Sequence, residues 1–288
     1  MIIVYNPTAG RRRAALLWRV LDVLAANGVR LDLARTTSAG HAVALAREAA
    51  RLGARLVVAA GGDGTIAEVA RGLQGTGVAL GIIPLGTANV LANELGLSFA
   101  PRGCAAALAF GRTRPLWPGV ATEASGADRL FVQMLGVGFD AAVVHRLPPR
   151  LKRLTGRGAY VIQSLREMAE YRFPRIRVRL DGVEMQAASV VVTKGRLYAG
   201  RYVLAPSACS AEPGFQVALF GQSGPLGAAL YGAALPLNLL PHAPGLRLLP
   251  AREIDVEGSY PAQADGDPSG SAPLRVTDAP EPIPVVVG

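Results

Sequence analysis

Cysteine is almost absent from this chain. Among 288 residues only Cys104 and Cys209 occur, and they form no CxxC pair. No disulfide framework is expected, and a reducing cytoplasm is the compartment that fits. Histidine is nearly as scarce: His41, His145 and His242 are scattered, with no metal-ligand spacing. Aromatic residues make up 6% of the chain. They show no base-stacking pattern, so nucleic acid is not an expected partner. The start MIIVYNP has no basic segment followed by a long apolar one, which argues against a secretory signal. Apolar runs of membrane-spanning length are missing too. Ala208 to Leu246 comes nearest, with Glu212 its only acidic, lysine or arginine residue, but Pro213, Pro225, Pro236, Pro241 and Pro244 interrupt it. That pattern fits a greasy surface touching lipid better than a spanning helix.

What is present supports folded domains. Hydrophobic residues are 50% of the chain and mean hydropathy is +0.30, so disorder is excluded and two modest cores are affordable. Lys and Arg number 30 against 21 Asp and Glu, giving +9. Such a balance suits an anionic partner, such as a nucleotide or a membrane surface. An arginine-rich GC-biased genome would produce the same excess.

The first hundred residues alternate between apolar β-branched runs and 3.6-periodic ones. MIIVY, VRLDLART, ARLVVAAGG and VALGIIPLG read as strands. RRRAALLWRVLDVLAANG, SAGHAVALAREAARLG and TIAEVARGLQG read as helices, the first two closed by Gly28 and Gly53. This order predicts an α/β domain over residues 1–118, with a parallel sheet covered by helices and ligands at the carboxyl ends of its strands. After the linker-like TRPLWPG, strands predominate: RLFVQMLGVG, PRIRVRLDGVEM, ASVVVTKG, FQVALFG, EIDVEG and LRV. Asp181-Gly182 is a hairpin signal, and GAYVIQSLREMAEYR reads as a helix. Residues 119–288 are therefore expected to form a mostly antiparallel β-sandwich, with a C-terminal tail able to return to the first domain.

Three strand ends carry small, polar residues before a helix: Asn6-Pro7-Thr8-Ala9-Gly10, Gly61-Gly62-Asp63-Gly64-Thr65 and Gly86-Thr87-Ala88-Asn89. Glycines at 61 and 62 give a phosphate access to the backbone and permit positive φ. Thr65 as N-cap with Glu68 predicts a capping box whose free amides and helix dipole favour an anion. Asp63 beside such a site would repel phosphate unless a cation intervened, so it reads either as a Mg²⁺ partner or as a helix cap. Neither GxxxxGK[ST] nor GxGxxG is present, so any nucleotide site is of another kind.

GGDGT at 61–65, NPTAG at 6–10, GIIPLGTANVLANELG at 81–96, GVGFDA at 136–141, YAGRYVLAPSA at 198–208 and ADGD at 264–267 together resemble the diacylglycerol kinase catalytic domain family of bacterial soluble lipid kinases, which also includes sphingosine and ceramide kinases. The resemblance covers nearly the whole chain. It implies an ATP- and Mg²⁺-dependent kinase for a lipid hydroxyl, with the active site between an α/β domain and a β-sandwich. It places Asn6, Pro7, Thr8, Ala9, Gly10, Arg11, Thr36, Gly61, Gly62, Asp63, Gly64, Thr65, Glu68, Gly86, Thr87 and Asn89 at the nucleotide. Asp265 or Asp267 becomes the base that takes the lipid hydroxyl proton. In phosphoryl transfer the protein mainly positions groups and neutralises charge, and such a carboxylate orients the nucleophile.

This chain also departs from the family's pattern. Asn89 is followed by Val90 where a carboxylate is usual, and Arg11 stands where lysine is common, with a different geometry. A family Mg²⁺ site would fall on Cys209, Glu212 and Gly214, where a thiol is a poor ligand for a hard cation. Arg146, Arg150, Lys152, Arg153 and Arg157 form a basic cluster that would suit an anionic leaflet at about 1 kcal/mol each. A solvated face is the plainer reading. GVGFDA reads as a strand and turn. The expected setting is the cytoplasm, with peripheral contact at the inner membrane face. Oligomeric state stays open, a homodimer included. Sphingosine or ceramide phosphorylation, NAD phosphorylation and a silent nucleotide- or lipid-binding module are the competing functions.

Overall fold

Near-continuous apolar strands need cover on both faces, and the N-terminal unit is built on that requirement. In chain order it contains β1 (Ile2–Tyr5), α1 (Ala14–Ala26), β2 (Asp32–Arg35), α2 (His41–Arg51), β3 (Leu56–Gly61), α3 (Asp63–Leu73), β4 (Ala79–Pro84), α4 (Val90–Glu94), α5 (Pro101–Phe110) and β5 (Arg112–Leu116). The computed structural model describes residues 1–9, 14–148 and 157–288. Gly10, Arg11, Arg12, Arg13, Arg150, Lys152 and Arg153 lie outside them, as does the Arg157 side chain. Strands β1 to β4 pair in parallel, in the order β2-β1-β3-β4. Leu17, Val20, Leu21 and Leu24 form the buried stripe of α1, which packs with Cys104, Ala105 and Leu108 of α5 over Ile3, Val58 and Ile83. Helices α2 and α3 pack on each other. A Cβ at Gly72 would fall 2.6 Å from the Ala46 Cβ and the Val43 carbonyl oxygen, so glycine sets that approach.

The second unit, Pro118–Ala279, holds two six-stranded antiparallel sheets. Its elements are β6 (Gly119–Glu123), β7 (Asp128–Phe131), β8 (Met134–Gly138), α6 (Phe139–Arg146), α7 (Arg157–Glu170), β9 (Ile176–Leu180), β10 (Val183–Ala187), β11 (Ser189–Thr193), β12 (Leu197–Tyr198), β13 (Tyr202–Val203), β14 (Phe215–Phe220), α8 (Gly224–Ala234), β15 (Leu246–Ala251), β16 (Ile254–Val256), β17 (Pro261–Ala264), β18 (Asp267–Ser271) and β19 (Leu274–Asp278). The sheets run β10-β9-β16-β19-β6-β7 and β15-β14-β11-β8-β17-β18, with β12 and β13 forming a separate pair. Inward residues of both sheets, among them Phe131, Leu135, Val178, Val190, Val217 and Val276, share one core. Asp181 and Gly182, at φ 47° and 87°, make the hairpin that their sequence announces.

The structure differs from the sequence reading at three places. TRPLWPG is no simple linker: Arg112–Leu116 is β5, an edge strand antiparallel to β20 (Ile283–Val287). Its proline survives because an edge strand leaves one set of amides unpaired. Strand β20 itself inserts between β4 and β5, so the first unit is Met1–Trp117 together with Pro280–Gly288. GVGFDA is a strand that passes directly into helix α6 at Phe139 rather than into a turn. The charge-poor segment contains helix α8, started by Gly224-Pro225, where proline at the first turn costs no hydrogen bond. No helix among the described residues is long and apolar enough to cross a membrane.

Candidate active site

Parallel pairing of β1, β3 and β4 brings the loops after them to one edge of the first sheet. The Asn6 amide donates to the Ala60 carbonyl (3.1 Å), and the Asn6 Nδ2 reaches the Thr65 Oγ1 (3.3 Å). The Asn6 Oδ1 accepts from the Thr8 amide and hydroxyl, fixing the turn through Pro7 to Ala9. The amides of Leu85 and Gly86 both donate to the Gly61 carbonyl. Thr36 is buried after β2, its amide on the Tyr5 carbonyl. Asn89 is buried at φ 47°, its Nδ2 donating to the Gly86 carbonyl while its Oδ1 has no hydrogen-bond partner among the described residues. Thr87 stands exposed at the tip of its loop.

The glycines serve contact between loops. Gly61, Gly62 and Gly86 do not adopt positive φ, so the conformational freedom that the sequence reading noted at Gly61 and Gly62 is not used. A Cβ on Gly86 would fall 2.5 Å from the Gly62 Cα, and one on Gly61 2.5 Å from the Thr65 side chain. Two backbone loops therefore touch where any side chain would separate them. Helix α3 also starts earlier than the capping-box reading places it. Its N-cap is Gly62 in extended conformation, Asp63 and Gly64 lie in the first turn, and Thr65 is buried there. The Glu68 carboxylate leaves its own helix and accepts from the Gly40 (2.9 Å) and Ala42 (3.2 Å) amides, capping α2 instead. A side chain one turn into a helix reaches the neighbouring helix when the two pack as closely as α2 and α3 do.

Asp63 caps a second helix. Its Oδ1 accepts from the Leu91 amide (3.4 Å), and the Val90 and Asn89 amides also face it, all at the start of α4. Burial pushes its carboxyl above the ordinary range, opposed by those amides. The amides of Gly64 and Thr65 precede the first intrahelical bond, from the Ile66 amide to the Gly62 carbonyl, and so are available to an anion. Among the described residues no group of three or more Asp, Glu, His or Cys gathers as a metal cage. A Mg²⁺ here would rest on Asp63, with phosphate oxygens and water supplying the remaining ligands.

In the second unit, Asp265 and Gly266 at φ 52° and 83° form a two-residue hairpin loop between β17 and β18. Both Asp265 carboxylate oxygens are engaged, accepting from the amides of Val132 (2.8 Å), Gln133 (2.8 Å) and Met134 (3.0 Å). Asp267 starts β18, partly buried.

The positions around Glu212 hold a cation of the protein's own. Lys194 is fully buried, and its ammonium donates to the carbonyls of Glu212 (3.0 Å) and Gly214 (2.7 Å) and to the Asp278 Oδ1 (2.6 Å). The Nζ also sits 4.6 Å from the centre of the Phe215 ring. The Glu212 residue is exposed and contributes its carbonyl to this arrangement. Nothing local in VVVTKG marked this lysine as buried. The basic cluster is altered as well: Arg146 pairs with Glu167 and Glu170 (both 3.2 Å).

Comparison with known proteins identifies the family. The diacylglycerol kinase catalytic domain family matches residues 1–120, and the YegS C-terminal NAD kinase beta sandwich-like domain family matches residues 133–287. "Probable lipid kinase YegS-like" of Pseudomonas putida is 31% identical over 256 residues, covering 86% of this chain and 82% of that protein. "Probable lipid kinase YegS-like" of Klebsiella pneumoniae is 33% identical, over 67% of this chain and 65% of its own length. "Diacylglycerol kinase" of Bacillus subtilis is 34% identical, over 62% and 59%. A solved Bacillus anthracis structure superposes with a TM-score of 0.80 at 20% identity, covering 100% of this chain and 94% of that one, a likeness of fold. With both halves matched in order, the chain belongs to the YegS-like lipid kinase family, a diacylglycerol kinase catalytic domain followed by a YegS-type β-sandwich.

Proposed function

We propose that the protein transfers the γ-phosphoryl group of ATP to the hydroxyl of a membrane lipid, with diacylglycerol the first candidate. The observation that carries this reading is the packing of the Gly61–Thr65 and Gly86–Asn89 loops, backbone on backbone, beside the unpaired amides of α3. Phosphate oxygens suit those amides and the helix dipole. Asn6 and Thr8 shape the neighbouring wall, and Asn89 fixes the Gly86 turn. Bound Mg²⁺ would supply charge neutralisation at the phosphates, with Asp63 the residue to hold it. Asp265 anchors the hairpin by accepting from three backbone amides. Asp267, the second carboxylate of the ADGD turn at the start of β18, is assigned as the base that takes the lipid hydroxyl proton. The net charge of +9 favours peripheral contact with an anionic leaflet on the cytoplasmic side.

The test is transfer of labelled γ-phosphate from ATP to diacylglycerol, sphingosine or ceramide in mixed micelles, with and without a Mg²⁺ chelator, with NAD as a soluble control acceptor. A labelled lipid that disappears on chelation supports the reading. Labelled NADP with no lipid product overturns it. Asp267→Asn is expected to keep ATP-induced thermal stabilisation and to lose transfer. Turnover near that of the unsubstituted protein would remove Asp267 from its role.

A further inference from the structure

We infer that Asp140, Tyr198 and Gln263 form a positioning relay that holds the Asp265–Asp267 hairpin in its working shape. This rests on the kinase reading above. Gln263 lies on β17, is 2% exposed, and spans two tasks with one amide group. Its Oε1 accepts from the Gly266 amide (2.8 Å), inside the hairpin loop, and its Nε2 donates to the Asp140 Oδ2 (2.7 Å). The Tyr198 hydroxyl donates to the other Asp140 oxygen. Asp140 therefore acts as a double acceptor at the start of α6, which fixes which way the Gln263 amide faces.

A flipped Gln263 would turn its NH₂ toward the Gly266 N–H and its oxygen toward a carboxylate, two repulsive contacts at once. The relay thus permits one orientation of the hairpin amide. Gly136, the register partner of Gln263 on β8, leaves the necessary space: a Cβ there would meet both the Asp140 carboxylate and, at 2.8 Å, the Gln263 Nε2. Helix α6 grips β17 a second time, with the His145 Nε2 2.7 Å from the Ala262 carbonyl oxygen. Asp265 anchors the same loop from its other side, through the Val132, Gln133 and Met134 amides. Two independent sets of bonds converge on a two-residue turn, and the residue they aim is Asp267. The sequence motifs GVGFDA and YAGRY, which have no other assigned task, supply Asp140 and Tyr198.

The experiment compares Gln263→Leu, Tyr198→Phe and Asp140→Asn with the unsubstituted protein, using whichever of diacylglycerol, sphingosine or ceramide it phosphorylates fastest in mixed micelles. Misplacing a catalytic group by an ångström costs on the order of 100-fold. Gln263→Leu is accordingly expected to lower kcat by about 10- to 100-fold, with lipid KM and ATP-induced thermal stabilisation unchanged. Tyr198→Phe removes one oxygen from a well-packed side chain and is expected to lower kcat less. Asp140→Asn replaces the double acceptor by one acceptor and one donor, so it constrains the Gln263 amide less and is expected to lower kcat, but by less than Gln263→Leu. The relay is overturned if Gln263→Leu and Tyr198→Phe both keep kcat within about twofold, a change far below that expected for a misaimed base. It is equally overturned if the loss falls on lipid KM alone, or if Asp140→Asn is as damaging as Gln263→Leu. Should Gln263→Leu fail to fold, Tyr198→Phe decides. An inactive Asp267→Asn beside normal turnover in both Gln263→Leu and Tyr198→Phe sinks the relay and leaves the kinase reading standing. An unsubstituted protein that labels no lipid sinks the kinase reading first.

Discussion

In the first unit the working loops meet through backbone: Gly62 and Gly86 approach so closely that neither admits a Cβ without displacement. In the second unit the corresponding hairpin is held by side chains, with Asp265 on three amides and Gln263 on a fourth. On the proposed function, the difference follows from what each region would handle. A phosphate-binding rim must expose amides, so its order has to come from atoms that leave those amides free. A hairpin that presents a carboxylate can be buttressed by polar side chains, because the buttress is buried behind it.

Four substitutions would break or sharpen this contrast. The largest effect is expected from Lys194→Ala in the side-chain-built unit, which strips the ammonium from two carbonyls and the Asp278 carboxylate. Breaking a buried pair costs about 3–5 kcal/mol, read as a lowered denaturant midpoint. Gly86→Ala comes next, in the backbone-built unit. Its methyl presses on the Gly62 Cα, costing about 1–3 kcal/mol and abolishing ATP-induced thermal stabilisation. Retention of the ATP effect would show that the loops can part without harm. Glu68→Ala removes the cap of α2 and is expected to cost about 0.5–2 kcal/mol. ATP-induced stabilisation should persist, because the Glu68 carboxylate is spent on α2.

The smallest effect concerns pH. Burial raises the Asp140 carboxyl above its ordinary value, so the folded chain holds that proton more tightly than the unfolded one. Its stabilising contribution is complete below the unfolded carboxylate range and is lost as pH rises through the raised value. Asp140→Asn removes this dependence, so melts across that window should show the variant gaining on the unsubstituted protein as pH increases. A constant difference would contradict the assigned direction.

Much of the fold was legible because period and punctuation are local. The continuous run before Gly61 reads as a strand buried on both faces, and Asp181-Gly182 reads as a hairpin, without knowledge of any partner. The three rim loops were legible for the same reason: each follows a strand, and parallel pairing sends strand ends to one edge. The strand within TRPLWPG was not, since it exists only by pairing with Ile283–Val287 from the far end of the chain. Glu68 shows the limit at residue scale: its spacing from Thr65 announced a capping box, yet its partners belong to α2.

The sequence by itself determined where strands and helices alternate, which bends carry glycine and acid, and the family to which those bends point. Only tertiary structure decided that Gly62 and Gly86 touch, that Lys194 is buried among carbonyls, and that Asp265 is engaged by three backbone amides. The reason is range. Propensity and hydrophobic period act over a few neighbouring residues, whereas the burial of Lys194 and the partners of Asp265 depend on segments from 18 to 133 positions away.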